Sequence, residues 1–562
     1  MGNPIPNYDP LARPTSRRAF LKIVGLATGG LALAACTPGV STPPASGTPG
    51  PSGSQAPLAL TESTPAPSSD PNAKKGGMLR LARDQDPTSL DPAHVEGNNN
   101  LFIQAALFDS LVNLEPGFTD PQPGLASSYK VSDDSLTYTF TLRDGIKFCN
   151  GSPITAEDVV FCIERAMDPE QDDTFAFLYV NFEGIKAIDA KTIEVKTKIV
   201  DASCLSTLAM PCSGIYPKAV FEQMGATKFG QQPIGSGAFM LQTWTQGDKE
   251  VLVKNPYYWK TGKPYLDGVT FTYVADTNAR ILQMKTGETD VAQSIPYAQV
   301  TSLQNQPGYS IQLSPYAVCW NLWLNRTVVK AFQDKLVRQA LNYATPRDSI
   351  NQAVLGGMGL PQNSMYGKSN YWDPDVPAYP YDIEKAKQLM AQSSVPQGFS
   401  FSILYPGGNN AQEQTATILQ AAYAQIGVKV TLKTADQAGV NKEFQGMTFD
   451  TIMMNPSDVS SDIPDSSEQA AIFLKGEDKR WNGFYTGYIN PEASKLVDEA
   501  GTTLDPAKRK ELYRQLQQLS MDDAAQVALL FTPVVTGVSN KVHGFQTMIN
   551  GWWRLEDVWL DQ

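Results

Sequence analysis

From residue 77 the chain reads Gly-Met-Leu-Arg-Leu-Ala-Arg, alternating apolar and polar side chains with period two. That alternation predicts a strand. It runs into Asp-Pro-Thr-Ser-Leu-Asp-Pro over 86–92, a cluster of turn formers that predicts an open loop. Residues 101–111 carry apolar positions at helical spacing, whereas 136–142 alternate Leu, Tyr, Phe and Leu with threonines and predict a strand. Asp144-Gly145 predicts a hairpin turn. Thr155 followed three residues later by Asp158 is a capping pattern, which predicts a helix from there through Met167.

The first apolar run, 23–35, is of another kind. At about thirteen residues it would be roughly 20 Å long as a helix, too short for a ~30 Å hydrocarbon layer. Arg17 and Arg18 stand just before it in Thr-Ser-Arg-Arg-Ala-Phe-Leu-Lys, which reads as a twin-arginine export signal. Leu33-Ala34-Ala35-Cys36 resembles a lipobox, in which the cysteine is diacylated and becomes the new N-terminus. Residues 1–35 are therefore expected to be a signal peptide and Cys36 a membrane anchor, since two acyl chains hold where one does not. The stretch 36–76 is rich in Pro, Ser, Thr and Gly with almost no aromatics, so it cannot repay its ordering entropy and is expected to be a disordered tether. As flexible coil its r.m.s. reach is roughly 35 Å. The expected location is the outer face of the cytoplasmic membrane, extracellular or periplasmic.

Composition narrows the partners. The chain has 562 residues, more than one core usually organises, and a net charge of -12. With no basic stripe to displace counterions, nucleic acid is not an expected partner. His94 and His543 are the two histidines, and neither has a second strong ligand at zinc-like spacing, so no metal and no cofactor is expected. Past Cys36 stand Cys149, Cys162, Cys204, Cys212 and Cys319, an odd number. Cys204 and Cys212 are close enough in sequence to pair, and whether they do is open; small apolar roles are expected for most of the five.

The segment PGLASSYKVSDDSLTYTFTLRDGIKFCNGSPITAEDVVF, 123–161, resembles the signature of family 5 extracellular solute-binding proteins of ABC importers, the oligopeptide, dipeptide and nickel type. Further matches follow in family order: PIGSGAF (233–239), NPYYW (255–259), MKTGETDV (284–291), VRQALNYA (337–344), DIEKAKQL (382–389), IGVKV (426–430) and KVHGF (541–545). Coverage is 77–562. The resemblance implies an α+β (α/β) body with a bilobal, periplasmic-binding-protein-like fold, an extra inserted domain and a hinge of two chain crossings. It implies domain I from 77–112, 232–315 and 533–562, domain II at 113–231 and domain III at 316–532. The crossings are expected near 314–318 and 531–535.

The same resemblance implies a solute enclosed between the lobes and an ABC permease as partner, with the protein acting as a monomer. In the family a Trp is often followed three residues on by an Asp that pairs with a peptide's ammonium. Asn455 stands at the Trp position here and Asp458 at the acidic one, with Asp462 in reserve. A carboxylate desolvated against an amine makes a charge-assisted bond. Other expected wall residues are Trp320, Tyr405, Trp481 and Asn482, with Ser89 and Ser236 as hydroxyl donors; core packing is the alternative for each aromatic. A peptide is the expected ligand, with an oligosaccharide or a nickel chelate as the alternatives. Catalysis is not expected: there is no Gly-x-Ser-x-Gly, and the Ser-x-x-Lys at 127–130 is short enough to arise by chance.

Overall fold

The computed structural model describes residues 70–562 and the short strand Thr61–Glu62, apart from 95–97, 117, 119, 172–174, 305, 315–317, 369, 409, 454–462, 464, 478–481, 549–550 and 562. Arg17, Arg18 and Cys36 lie outside the described residues.

The alternating segment at 77–83 is the strand Met78–Arg83, with Leu79 and Leu81 buried. It lies inside an eight-stranded mixed sheet ordered Thr61–Glu62, Tyr309–Leu313, Val535–Ser539, Val291–Ala292, Met78–Arg83, Gly268–Tyr273, Lys249–Lys254, Phe239–Thr245. A four-stranded antiparallel sheet is ordered Ala126–Val131, Thr137–Leu142, Thr192–Thr197, Phe182–Ala187. Most of the buried residues of these two sheets share one hydrophobic cluster, and with their helices the sheets form the first lobe. A six-stranded sheet ordered Leu360–Pro361, Val527–Thr532, Val318–Leu324, Thr451–Met453, Ser400–Pro406, Lys429–Ala435 organises the second.

Local chemistry explains the boundaries. Thr155 caps the helix Ala156–Met167 and Asp158 bonds back to the Thr155 N–H, as the sequence pattern predicts. The carboxylate of Asp158 also accepts the N–H of Lys218 at 3.0 Å, tying this helix to the helix Lys218–Met224. The helix expected at 101–111 is instead Asn98–Leu107, because the Leu107 carbonyl is taken by the N–H of Gly237 and the chain turns into the strand Val112–Asn113. No hairpin of the sheet turns at Asp144-Gly145; Gly145 has a left-handed φ of 68°, but the hairpin joining Ala126–Val131 to Thr137–Leu142 turns at 132–136. There Asp134 accepts from the Ser132 hydroxyl and the Leu136 N–H, and Ser135 adopts φ 60°. A side-chain-bonded turn thus replaces the glycine the pattern favours.

The lobes are joined by two adjacent chain crossings. Strand Tyr309–Leu313 pairs antiparallel with Val535–Ser539 in the first lobe, and Val318–Leu324 pairs antiparallel with Val527–Thr532 in the second. Between them Ser314 N–H donates to the Val534 carbonyl at 2.9 Å and Val534 N–H to Ser314 Oγ at 2.8 Å. The Tyr297 hydroxyl donates to the Pro533 carbonyl at 2.8 Å beside them. Backbone dihedrals at a few such residues can absorb a rigid-body rotation. The five cysteines past Cys36 are buried thiols outside any disulfide, so Cys204 and Cys212 do not pair with each other. Burial pushes the thiols of Cys162, Cys204 and Cys319 up, away from thiolate. Among the described residues no helix is long and apolar enough to cross a membrane, and no group of His, Cys, Asp and Glu could hold a metal ion.

Candidate functional site

Strands Ser400–Pro406, Lys429–Ala435 and Thr451–Met453 run parallel, so their C-terminal ends share one edge of the second lobe's sheet. In open α/β sheets that edge is where loops and helix starts gather ligands. The helix Asn410–Ala424 begins there, and Gln412 Nε2 donates to the Met453 carbonyl at 2.7 Å, fixing the end of the strand that leads into residue 454. Asn455, Asp458 and Asp462 follow that strand and lie outside the described residues, as does Trp481. Asn482 opens the short helix Asn482–Tyr485.

Tyr405 stands at the same edge, in register with Thr434, and is 4% exposed. Trp320, on the strand after the first crossing, is fully buried in a cluster that also holds Ile295, Tyr297, Leu313 and Val535 from across the hinge. Packing under the hinge is thus its role in this arrangement.

On the first lobe, the loop after Met78–Arg83 is anchored by its own side chains. Asp91 forms a buried ion pair with Arg165 at 3.0 Å and accepts from the Ala93 N–H, while Ser89 Oγ accepts from the Asp91 N–H at 3.1 Å. Ser89 also lies against Gly230, where a Cβ would approach its Oγ to 2.6 Å. Asn99 Nδ2 donates to Gln85 and Asn100 Oδ1 accepts from the Thr88 N–H, holding the loop to the start of the helix Asn98–Leu107. Ser236 differs from expectation. It is 1% exposed, and its hydroxyl accepts from the Asp109 N–H at 3.0 Å and donates to the Ile215 carbonyl at 2.8 Å. A hydroxyl so committed to backbone fastens the glycine-rich loop and is not aimed at a solute.

Sequence reasoning missed the surface where the lobes meet. A cavity of about 450 Å³ lies between them, lined by Phe177, Asn181 and Asp201 of the first lobe and Ile463, Glu468 and Lys475 of the second, among others. The Ala202 N–H donates to the Gly501 carbonyl at 2.9 Å, a backbone bond from lobe to lobe. No periodicity or motif marks these positions, because each acquires its partner only when distant segments are brought together.

Comparison with known proteins fits this geometry. The family description "Bacterial extracellular solute-binding proteins, family 5 Middle" matches residues 120–481. The glutathione-binding protein GsiB of Escherichia coli (strain K12) is 29% identical over 473 residues, covering 84% of this chain and 92% of that protein. The periplasmic binding protein DppA from Helicobacter pylori, solved with the peptide STSA, superposes with a TM-score of 0.74 at 26% identity over 87% of this chain and 99% of its own. The oligopeptide-binding protein AppA from Bacillus subtilis, solved with a nonapeptide, gives a TM-score of 0.71 at 25% identity over 87% of this chain and 100% of its own.

Proposed function

Since the chain belongs to the bacterial extracellular solute-binding proteins, family 5, and is a binding component of ABC import and not an enzyme, we propose that its solute is a peptide enclosed between the two lobes. The observation that carries the reading is the pair of adjacent crossings at Ser314 and Val534, which lets one lobe rotate on the other over the shared strand edge. The ligands named for these three relatives, glutathione, STSA and a nonapeptide, are peptidic, whereas AgaA, at 26% identity, was solved with agropinic acid. Asp458 is the proposed partner of the peptide's ammonium, with Asp462 in reserve; Asn455, Trp481 and Asn482 belong to the same proposed wall. Tyr405 and Ser89 are further proposed members of the binding surface.

The assignment of domain II to 113–231 and domain III to 316–532, with domain I from the remaining three segments of 77–562, belongs to the same proposal. So do export through Arg17 and Arg18, a lipid on Cys36, and a monomer that hands its solute to a permease; the tether 36–76 belongs to it with a correction, since Thr61–Glu62 pairs with Gln312 and Leu313 in the sheet and Lys74 pairs with Asp561 at 2.9 Å. The deciding experiment is a calorimetric panel of reduced glutathione, di- to nonapeptides, oligosaccharides and a nickel chelate. Saturable binding of one of the peptides supports the reading; binding confined to a sugar or a nickel chelate replaces it.

A further inference from the structure

Each lobe builds one half of the contact around Ala202 and Gly501 by its own internal bonds. On the first lobe, Asp201 Oδ1 accepts from the Ser203 N–H at 2.9 Å and its hydroxyl at 2.7 Å, and Oδ2 accepts from Asn181 at 3.1 Å. The Tyr138 hydroxyl donates to the Asp201 carbonyl at 3.1 Å. The turn at 201–203 is thereby fixed, with the Ala202 N–H presented to the other lobe.

On the second lobe, Arg509 grips Asp465 with two parallel bonds of 2.6 and 2.8 Å, both side chains 3% exposed. Such a fork is geometrically specific. Asp465 also caps the helix Ser466–Leu474, and Arg509 Nε donates to the Ala500 carbonyl at 2.9 Å. One guanidinium thus holds the start of one helix to the end of Pro491–Gly501, and fixes Ile463 and the Gly501 carbonyl relative to each other. Glu468 adds a bond of 3.0 Å from the Ile463 N–H.

What passes between the halves is small and apolar at its centre. Ile463, 1% exposed, belongs to the first lobe's hydrophobic cluster although it stands on the second. Beside it runs the Ala202 to Gly501 bond, and around both lie Leu178, Val180 and Ile199 of the first lobe. If the lobes part, the bonds named within each half survive, whereas the insertion of Ile463 and the Ala202 to Gly501 bond are lost.

We propose that Ile463 and the Ala202 to Gly501 bond form a preassembled clasp that biases the lobes toward closure and so sets solute affinity and release without contacting the solute through either bond. The inference rests on the two-lobed capture reading and adds to it a second determinant, apart from any ligand group. A clasp of this kind shifts an existing equilibrium by the difference in its own free energy between the open and closed states.

The test uses the full chain carrying Cys36→Ala, with fluorescent labels on Ile188→Cys and Ile489→Cys, positions 52% and 65% exposed on opposite lobes; the five other native thiols are buried. Energy transfer gives the closed-to-open ratio in the absence of any solute. Ile463→Ala should lower that ratio about tenfold, and Ala202→Pro, which deletes the donor, should lower it by a factor of several. Circular dichroism identifies a variant that fails to fold, and either of the two then serves alone; Ile463→Val, with a smaller fall, stands in should both fail. Unchanged ratios in folded variants overturn the clasp, as does a parent protein found wholly open. The calorimetric panel separates the two ideas: peptide binding with a clasp-insensitive ratio leaves capture standing and removes the clasp, whereas a sensitive ratio without peptide binding does the reverse.

Discussion

Single side chains decide two measurable behaviours. Asp458 is expected to meet a peptide's free ammonium, so Asp458→Asn should keep the fold and lose about 1–3 kcal/mol of affinity for the tetrapeptide Ser-Thr-Ser-Ala. An equal loss for the N-acetylated tetrapeptide in the same titration would remove the amine role. Glu250 is a different case. It is 0% exposed on the strand Lys249–Lys254, with neither carboxylate oxygen in a well-formed hydrogen bond and with Tyr273, Asp86 and the buried Arg83 acting on it. Burial pushes its carboxyl up to about 8, against the pull of Tyr273 and Arg83. The folded state then keeps a proton that the unfolded chain releases near 4.5. Below that pH both states are protonated and nothing changes; between about 4.5 and 8 stability falls by up to about 1.4 kcal/mol per pH unit. Glu250→Gln should remove this slope, so its urea midpoint should gain on the parent's as pH rises from 5 to 8. A constant difference across that range would show that Glu250 is ionised in the fold.

At the scale of elements, the helix Ala156–Met167 shows how one cap serves two purposes. Thr155 Oγ1 accepts from the Asp158 N–H at 3.3 Å, and loss of such a cap typically costs about 1 kcal/mol. Asp158 holds more: it accepts from the Thr155 N–H and hydroxyl and from the Lys218 N–H. Asp158→Ala should therefore destabilise by more than Thr155→Ala, about 2–3 kcal/mol, because two backbone donors lose their acceptor. Chemical denaturation of both variants checks the order, and equal costs would mean that water replaces the carboxylate at Lys218. The loop after Met78–Arg83 follows the same logic on a larger scale. Turn residues made it legible as a loop, but its anchoring through Asp91 and Arg165 spans 74 positions of sequence and shows only in the fold.

For the whole molecule, enclosure of a solute by both lobes should track occupancy. Small-angle scattering of the protein lacking residues 1–76 should show a smaller radius of gyration with a saturating peptide than without, in a titration where calorimetry confirms binding. An unchanged radius, together with a constant transfer distance between the lobes at an open value, would sink closure as the mechanism. Anchoring is a separate question at this scale. Cys36→Ala should move the protein from the detergent phase to the aqueous phase on partitioning, since two acyl chains would be lost. Quantitative retention in the detergent phase would exclude the lipid.

The sequence by itself determined what depends on neighbours in the chain or on recurring motifs. The period-two strand at 78–83, the capping box at 155–158 and the ordered family motifs were all legible before any contact was known. Local backbone preference and side chains three or four residues apart act without the rest of the fold, so their signals survive in a linear reading. What only the tertiary structure decided is where chemistry-bearing residues end up. Ser236 looked available and is spent on the backbone of Asp109 and Ile215, while Trp320 packs under the hinge. Ile463 carried no signal and lies in the other lobe's core. A hydroxyl or an isoleucine has the same letter whether it faces a solute, a carbonyl or a second lobe, and burial by distant segments makes the choice.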